Sequence, residues 1–180
     1  MAWMALALFL LMNIFMQRAA MAAELPDISS VKFDLQVPAV EEGSPGPGKR
    51  VRIQPKAHVG SDLYHAMYLP REWKPGAQRY PVIIEYAGNG PITDKHGDVS
   101  TGRLEDAKLG WGVGGGNGFI WINLPYVAPD HKSQQLKWWG DRDATVAYCK
   151  QAVAAVCRDF CGDPQAVVLA GFSRGALACN

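Results

Sequence analysis

Apolar and polar positions change rhythm several times along the chain, and each rhythm predicts an element. Arg50 to Gln54 and Leu63 to Leu69 are short runs joined by a turn at Gly60-Ser61-Asp62, the second one stopped by Pro70. They predict an antiparallel pair at a sheet edge. Tyr80-Pro81-Val82-Ile83-Ile84-Glu85-Tyr86 is a compact β-branched run, the pattern of a strand buried on both faces. It ends at Ala87-Gly88-Asn89-Gly90-Pro91, a cluster that must turn. Phe119 to Leu124 predicts a second buried strand, closed by Pro125. From Asp141 to about Phe160 the period lengthens. Val146, Cys149, Val153, Val156, Cys157 and Phe160 recur at spacings of one helical turn. Asp141 is the expected N-cap, and Gly162-Asp163-Pro164 the stop. Ala166 to Ala170 then predicts a third buried strand that runs straight into Gly171-Phe172-Ser173-Arg174-Gly175. Alternation of buried strands with helical segments implies an α/β fold, with a mostly parallel sheet and helices on both faces.

The first residues follow another rule. Ala2 to Met16 is apolar apart from Asn13, and is followed by Gln17-Arg18 and then Ala19-Ala20-Met21-Ala22-Ala23. An apolar core followed by an Ala-x-Ala site is the pattern of a secretory signal peptide, here residues 1–22 with cleavage between Ala22 and Ala23. No Lys or Arg precedes the run, which departs from the usual pattern. The run is shorter than a spanning helix requires, so no stable membrane span is expected after cleavage. The chain is therefore expected to be secreted or periplasmic. Residues 23–62 read as an N-terminal extension that holds the Pro/Gly-rich linker Glu41–Gly48 and the first strand.

Composition narrows the function classes. The 180 residues carry a net charge of +1, and Lys and Arg are scattered among Asp and Glu without a basic stripe. Nucleic acid and anionic membrane surfaces are not favoured as partners. Export permits disulfides, yet three of the four cysteines, Cys149, Cys157 and Cys161, fall in or beside one predicted helix, where Cα–Cβ vectors run side by side. With Cys179 they read as small buried thiols. A lone C-x3-C gives no zinc site, and Asp94, Asp98 and Glu105 lack calcium-loop spacing, so no metal and no cofactor is expected. Gly110-Trp111-Gly112-Val113-Gly114-Gly115 fits G-x-G-x-x-G formally, but it precedes a strand instead of following one. It reads as a glycine-rich surface loop. Trp138-Trp139 stands in the loop before the long helix, where it can pack on the helix start.

Gly171-Phe172-Ser173-Arg174-Gly175 matches G-x-S-x-G, the nucleophile elbow. A chance match is expected at about 0.08 per chain of this composition, so context decides. The motif follows an apolar strand directly, and Arg174-Gly175-Ala176-Leu177-Ala178 can open a helix. A sharp strand-to-helix bend lifts a serine hydroxyl above the sheet, while the flanking glycines Gly171 and Gly175 permit close packing. The helix start points N–H groups at the same place.

On these residues the chain resembles the α/β-hydrolase family, specifically its exported esterases, from roughly Tyr64 to the chain end. The resemblance implies that residues 63–180 are a partial α/β-hydrolase domain. It implies acyl transfer with Ser173 as nucleophile, acting on a small-molecule or polysaccharide-linked ester. The oxyanion hole would take the backbone N–H of Asn89, from the loop after Val82–Tyr86, and that of Arg174. Ala87 stands where this loop in the family often has histidine. Family order is serine, acid, histidine, and only seven residues follow Ser173. His58, His65, His96 and His131 all precede it. The chain is thus expected to be a fragment lacking the acid and histidine, with one side of the elbow strand unpaired, and residues 23–180 alone to be inactive. Two alternatives stay open. One is a serine peptidase of prolyl-oligopeptidase type, which usually has a second glycine where Ala176 stands. The other is a non-catalytic exported binding module on a degenerate hydrolase scaffold.

Overall fold

A computed structural model of the chain describes residues 27, 30, 35–95 and 99–179. Residues 1–22, the Ala22–Ala23 cleavage site, His96 and Asp98 lie outside the described residues. The described sheet, helices and cleft all belong to one compact unit, Val37–Asn180.

Among the described residues seven strands and three α-helices follow in order: β1 Arg50–Ile53, β2 His65–Tyr68, β3 Tyr80–Tyr86, β4 Ile92–Thr93, β5 Val99–Ser100, α1 Leu109–Gly114, β6 Ile120–Leu124, α2 Arg142–Asp159, β7 Gly162–Gly171 and α3 Arg174–Ala178. Five strands make one sheet in the order β1-β2-β6-β3-β7, and β4 and β5 pair separately. β1 and β2 are antiparallel, as the sequence predicts, and β2 joins β6 antiparallel as well. Only β6–β3 and β3–β7 are parallel. The expectation of a mostly parallel sheet is therefore corrected to a mixed one. A parallel core of three strands carries an antiparallel hairpin on one edge, because the loop between β1 and β2, which holds a 3-10 turn at Lys56–His58, reverses the chain where a helical crossover would have kept its direction. The linker segment is tied to this hairpin: Glu41 bridges Val51 and Pro47 bridges Leu69.

Alternation along β3 and β6 divides the core. Val82, Ile84, Tyr86, Ile120, Ile122 and Leu124 face one side and pack against Tyr148, Ala152 and Val156 of α2. Ile83 and Trp121 face the other side, against Trp111 of α1. The chain moves from β3 outward to β6 and then back past β3 to β7. The two crossovers run in opposite directions along the sheet, and the helices they carry, α1 and α2, pack on opposite faces.

Three local expectations shift. α2 is capped by Asp141, whose side chain accepts from the Ala144 N–H at 2.9 Å, as predicted. Its buried stripe, however, is Thr145, Tyr148, Ala152 and Val156, and Val146 is exposed. Tyr148 lies in this stripe, its ring 5.9 Å from that of His65 in a T-shaped contact, while Cys149, Val153 and Phe160 of the expected face pack partly buried against the same core. β7 begins at Gly162 and includes Pro164. Proline is tolerated there because β7 is an edge strand with a register shift opposite Tyr80–Val82. For the same reason β7 is not buried: Val168 and Leu169 are about half exposed. Finally, the glycine-rich stretch after Lys108 is not a surface loop but the helix α1, with Gly110 and Trp111 buried.

Candidate active site

β3 and β7 are parallel neighbours whose last residues are in register, Tyr86 beside Gly171. The loops that leave them therefore start side by side at the carboxyl end of the sheet, the place where open α/β sheets form crevices. One loop is Ala87–Pro91 and the other is the turn into α3.

The second loop is strained. Ser173 has φ 53° and ψ −115°, a conformation that costs a residue with a side chain about 1–3 kcal/mol. Serine before a helix is ordinarily an N-cap with extended backbone, its oxygen accepting from the first turn. Ser173 makes no such bond. The turn is closed by its backbone, with the Gly175 N–H donating to Phe172 O at 2.8 Å and the Leu177 N–H to Ser173 O at 3.2 Å. The motif glycines are needed by contact. A Cβ on Gly171 would overlap the Gly175 backbone, and one on Gly175 would overlap the Tyr86 carbonyl. Ser173 is exposed and lines a cleft of ≈ 480 Å³ together with Ala87, Gly88, Asn89, Leu109 and Phe172.

Asn89 is on the wall of that cleft, and its loop is tightly held. Its side-chain oxygen accepts from the Trp138 N–H at 2.8 Å, its carbonyl from Ser100 Oγ at 2.9 Å, and the Gly90 N–H donates to Leu136 O. A Cβ at Gly88 would press on the Phe172 ring at 3.3 Å. Arg174 opens α3, so its N–H has no carbonyl one turn earlier in that helix.

Two site side chains are marked by no motif. The first is the side chain of Arg174, which is buried and runs beneath the turn. It donates to Gly88 O, Gly102 O, Gln135 O and Trp138 O and lies 4.0 Å over the Tyr126 ring. Burial pushes its pKa below the usual arginine range. The second is Glu85, in the middle of the β3 apolar run and buried. Its carboxylate accepts from the N–H groups of Lys108, Leu109 and Gly110 and from Trp121 Nε1, all at 2.8–2.9 Å. It caps α1 from another element and sets the cleft wall at Lys108–Leu109. A charge inside a strand buried on both faces was the available signal, since such a group must be satisfied.

The described histidines are engaged elsewhere. His58 stacks on Tyr148, His65 is buried against the Tyr148 hydroxyl, and His131 Nε2 lies 2.7 Å from Asp141 Oδ2. Among the described residues lining the Ser173 cleft there is no histidine. Asp130 accepts from the Lys132 and Ser133 N–H groups and the Ser133 hydroxyl, which hold its pKa down at about 2. Trp138, at φ 60°, is exposed, and Trp139 is at the margin of exposure. The four cysteines are free and partly buried. Among the described residues no group of three or more His, Cys, Asp or Glu is placed to hold a metal ion, and no helix is long and apolar enough to cross a membrane. No family model, curated protein or solved structure matches this chain.

Proposed function

We propose that Ser173 is the nucleophile of an exported serine hydrolase of α/β-hydrolase type that acts on carboxylic esters, small or polysaccharide-linked. The observation that carries the reading is the backbone of Ser173 itself. The residue occupies a strained conformation at the tip of a parallel strand, its hydroxyl is not used as a cap, and it opens on a cleft. Strain of this kind persists where surrounding structure over-determines it, and it concentrates at reacting groups. In the reaction, Ser173 Oγ bonds to the ester carbonyl carbon while its proton passes to a base and on to the departing alcohol. Water then attacks the acyl-enzyme, releasing the carboxylic acid and returning the proton to Ser173. The N–H groups of Asn89 and Arg174 stabilise the tetrahedral oxyanion, each by about 3 kcal/mol.

The test is covalent labelling. The protein expressed from the complete reading frame containing these residues is treated with a fluorophosphonate, whose fluoride is displaced by Ser173 Oγ. Label on Ser173, lost in Ser173→Ala, is the expected result. An unlabelled, folded protein overturns the hydrolase reading in favour of a binding module on the same scaffold.

A further inference from the structure

Arg174 presents an energetic puzzle. Its guanidinium is buried and donates four hydrogen bonds to backbone carbonyls of three separate loops, with Nε left without a partner. No carboxylate pairs with it among the described residues. Burying a cation on such terms carries a desolvation cost that carbonyl dipoles only partly return. Stability alone would favour an apolar side chain, so the fork shape of the group is the feature to explain.

One of its four acceptors is Gly88 O, at 2.9 Å from Nη2. That oxygen belongs to the same planar peptide unit as the Asn89 N–H, and in a trans peptide the two point in opposite directions. A donor fixed on the Gly88 carbonyl therefore fixes the Asn89 N–H at the opposite edge of that peptide unit, pointing away from the guanidinium. Rotation of that plane would break the bond to Arg174. The Trp138 backbone completes the frame, because its N–H donates to Asn89 Oδ1 and its carbonyl accepts from Arg174 Nη1 at 2.7 Å.

We propose that the Arg174 side chain is a positioning residue that sets the Gly88–Asn89 peptide plane and so aims the Asn89 N–H at the oxyanion formed on Ser173. The residue after the nucleophile then serves both halves of the oxyanion hole, one through its own N–H and the other through its guanidinium. This rests on the hydrolase reading above and goes beyond it, since that reading uses only the Arg174 backbone.

The experiment follows fluorophosphonate labelling as a function of probe concentration in the full protein, in Arg174→Lys and in Arg174→Ala. The expected result is a first-order rate at saturating probe that falls on the order of 100-fold in Arg174→Ala, the effect of losing one oxyanion donor. The half-saturating probe concentration should stay unchanged, and added millimolar guanidinium should restore the rate. Arg174→Lys, a single-point donor, should recover only part of it. A folded Arg174→Ala labelled at the unaltered rate overturns this inference and leaves the hydrolase reading standing. Absence of label on the unaltered protein overturns both. Should the variants not fold, the unaltered protein decides: in its phosphonate adduct the Asn89 amide proton must move downfield in the NMR spectrum, and an unmoved signal refutes the aim assigned to Arg174.

Discussion

At the scale of single residues, the site is a matter of which positions can carry a Cβ. Gly175 abuts the Tyr86 carbonyl and Gly171 the Gly175 backbone, whereas Gly112 in α1 has open space around it and ordinary helical backbone. The two kinds of glycine should respond to alanine with opposite signs. Gly175→Ala is expected to cost about 1–3 kcal/mol by overpacking, and to lower labelling of Ser173 as the turn opens. Gly112→Ala is expected to stabilise by about 0.5–1 kcal/mol, because glycine loses more backbone freedom in a helix than alanine does. Urea unfolding of both variants checks the pair; equal shifts in one direction would show that the packing around the turn is not what selects glycine.

At the scale of elements, the cleft wall depends on a cap supplied from a distance. α1 is short and rich in glycine, and its own N-cap residue Lys108 offers no side-chain bond. Glu85 on β3 supplies it instead, and satisfies Trp121 Nε1 as well. Glutamine at this position keeps one acceptor oxygen but turns an amide N–H₂ toward groups that are themselves donors. Glu85→Gln is therefore expected to destabilise by about 3 kcal/mol. It should also redden the fluorescence of Trp111 and Trp121 as α1 loosens. An unchanged unfolding midpoint with unchanged emission would mean that α1 holds without its cap. On the far face, α2 needs no such help, since Asp141 caps it locally.

At the scale of the whole molecule, the buried imidazole of His65 links stability to pH. Desolvation lowers its pKa to about 4, against an ordinary value of 6.5. Below pH 6.5 the unfolded chain takes up a proton that the folded chain refuses until about pH 4, so stability falls as pH falls through that window. The slope is up to about 1.4 kcal/mol per pH unit. The depressed carboxyls of Asp130 and Asp141 lose their contribution only as pH falls below the ordinary carboxylate range, under this window. Urea midpoints between pH 7 and 4.5 should decline in the unaltered chain and flatten in His65→Gln; parallel declines would place the titrating group elsewhere. The opposite edge of the molecule is less protected. An apolar groove of ≈ 560 Å³ runs between α2 and β7, beside the exposed Val168 and Leu169.

What was legible in the sequence is what local rules govern. Compact, β-branched apolar runs located β3 and β6, the longer period and Asp141 located α2, and apolar strand plus G-x-S-x-G located the turn at Ser173. Each depends on neighbours within a few residues. Pairing direction, the rotation of the α2 seam, the exposure of β7 and the helical state of α1 depended on partners far along the chain. Glu85 caps a helix more than twenty residues later, and Arg174 reaches back to a loop some eighty residues earlier, neither with any spacing to mark it. The sequence alone determined that Ser173 stands between a strand and a helix. Only the tertiary structure decided that Asn89 stands beside it, because two strands distant in sequence end in register.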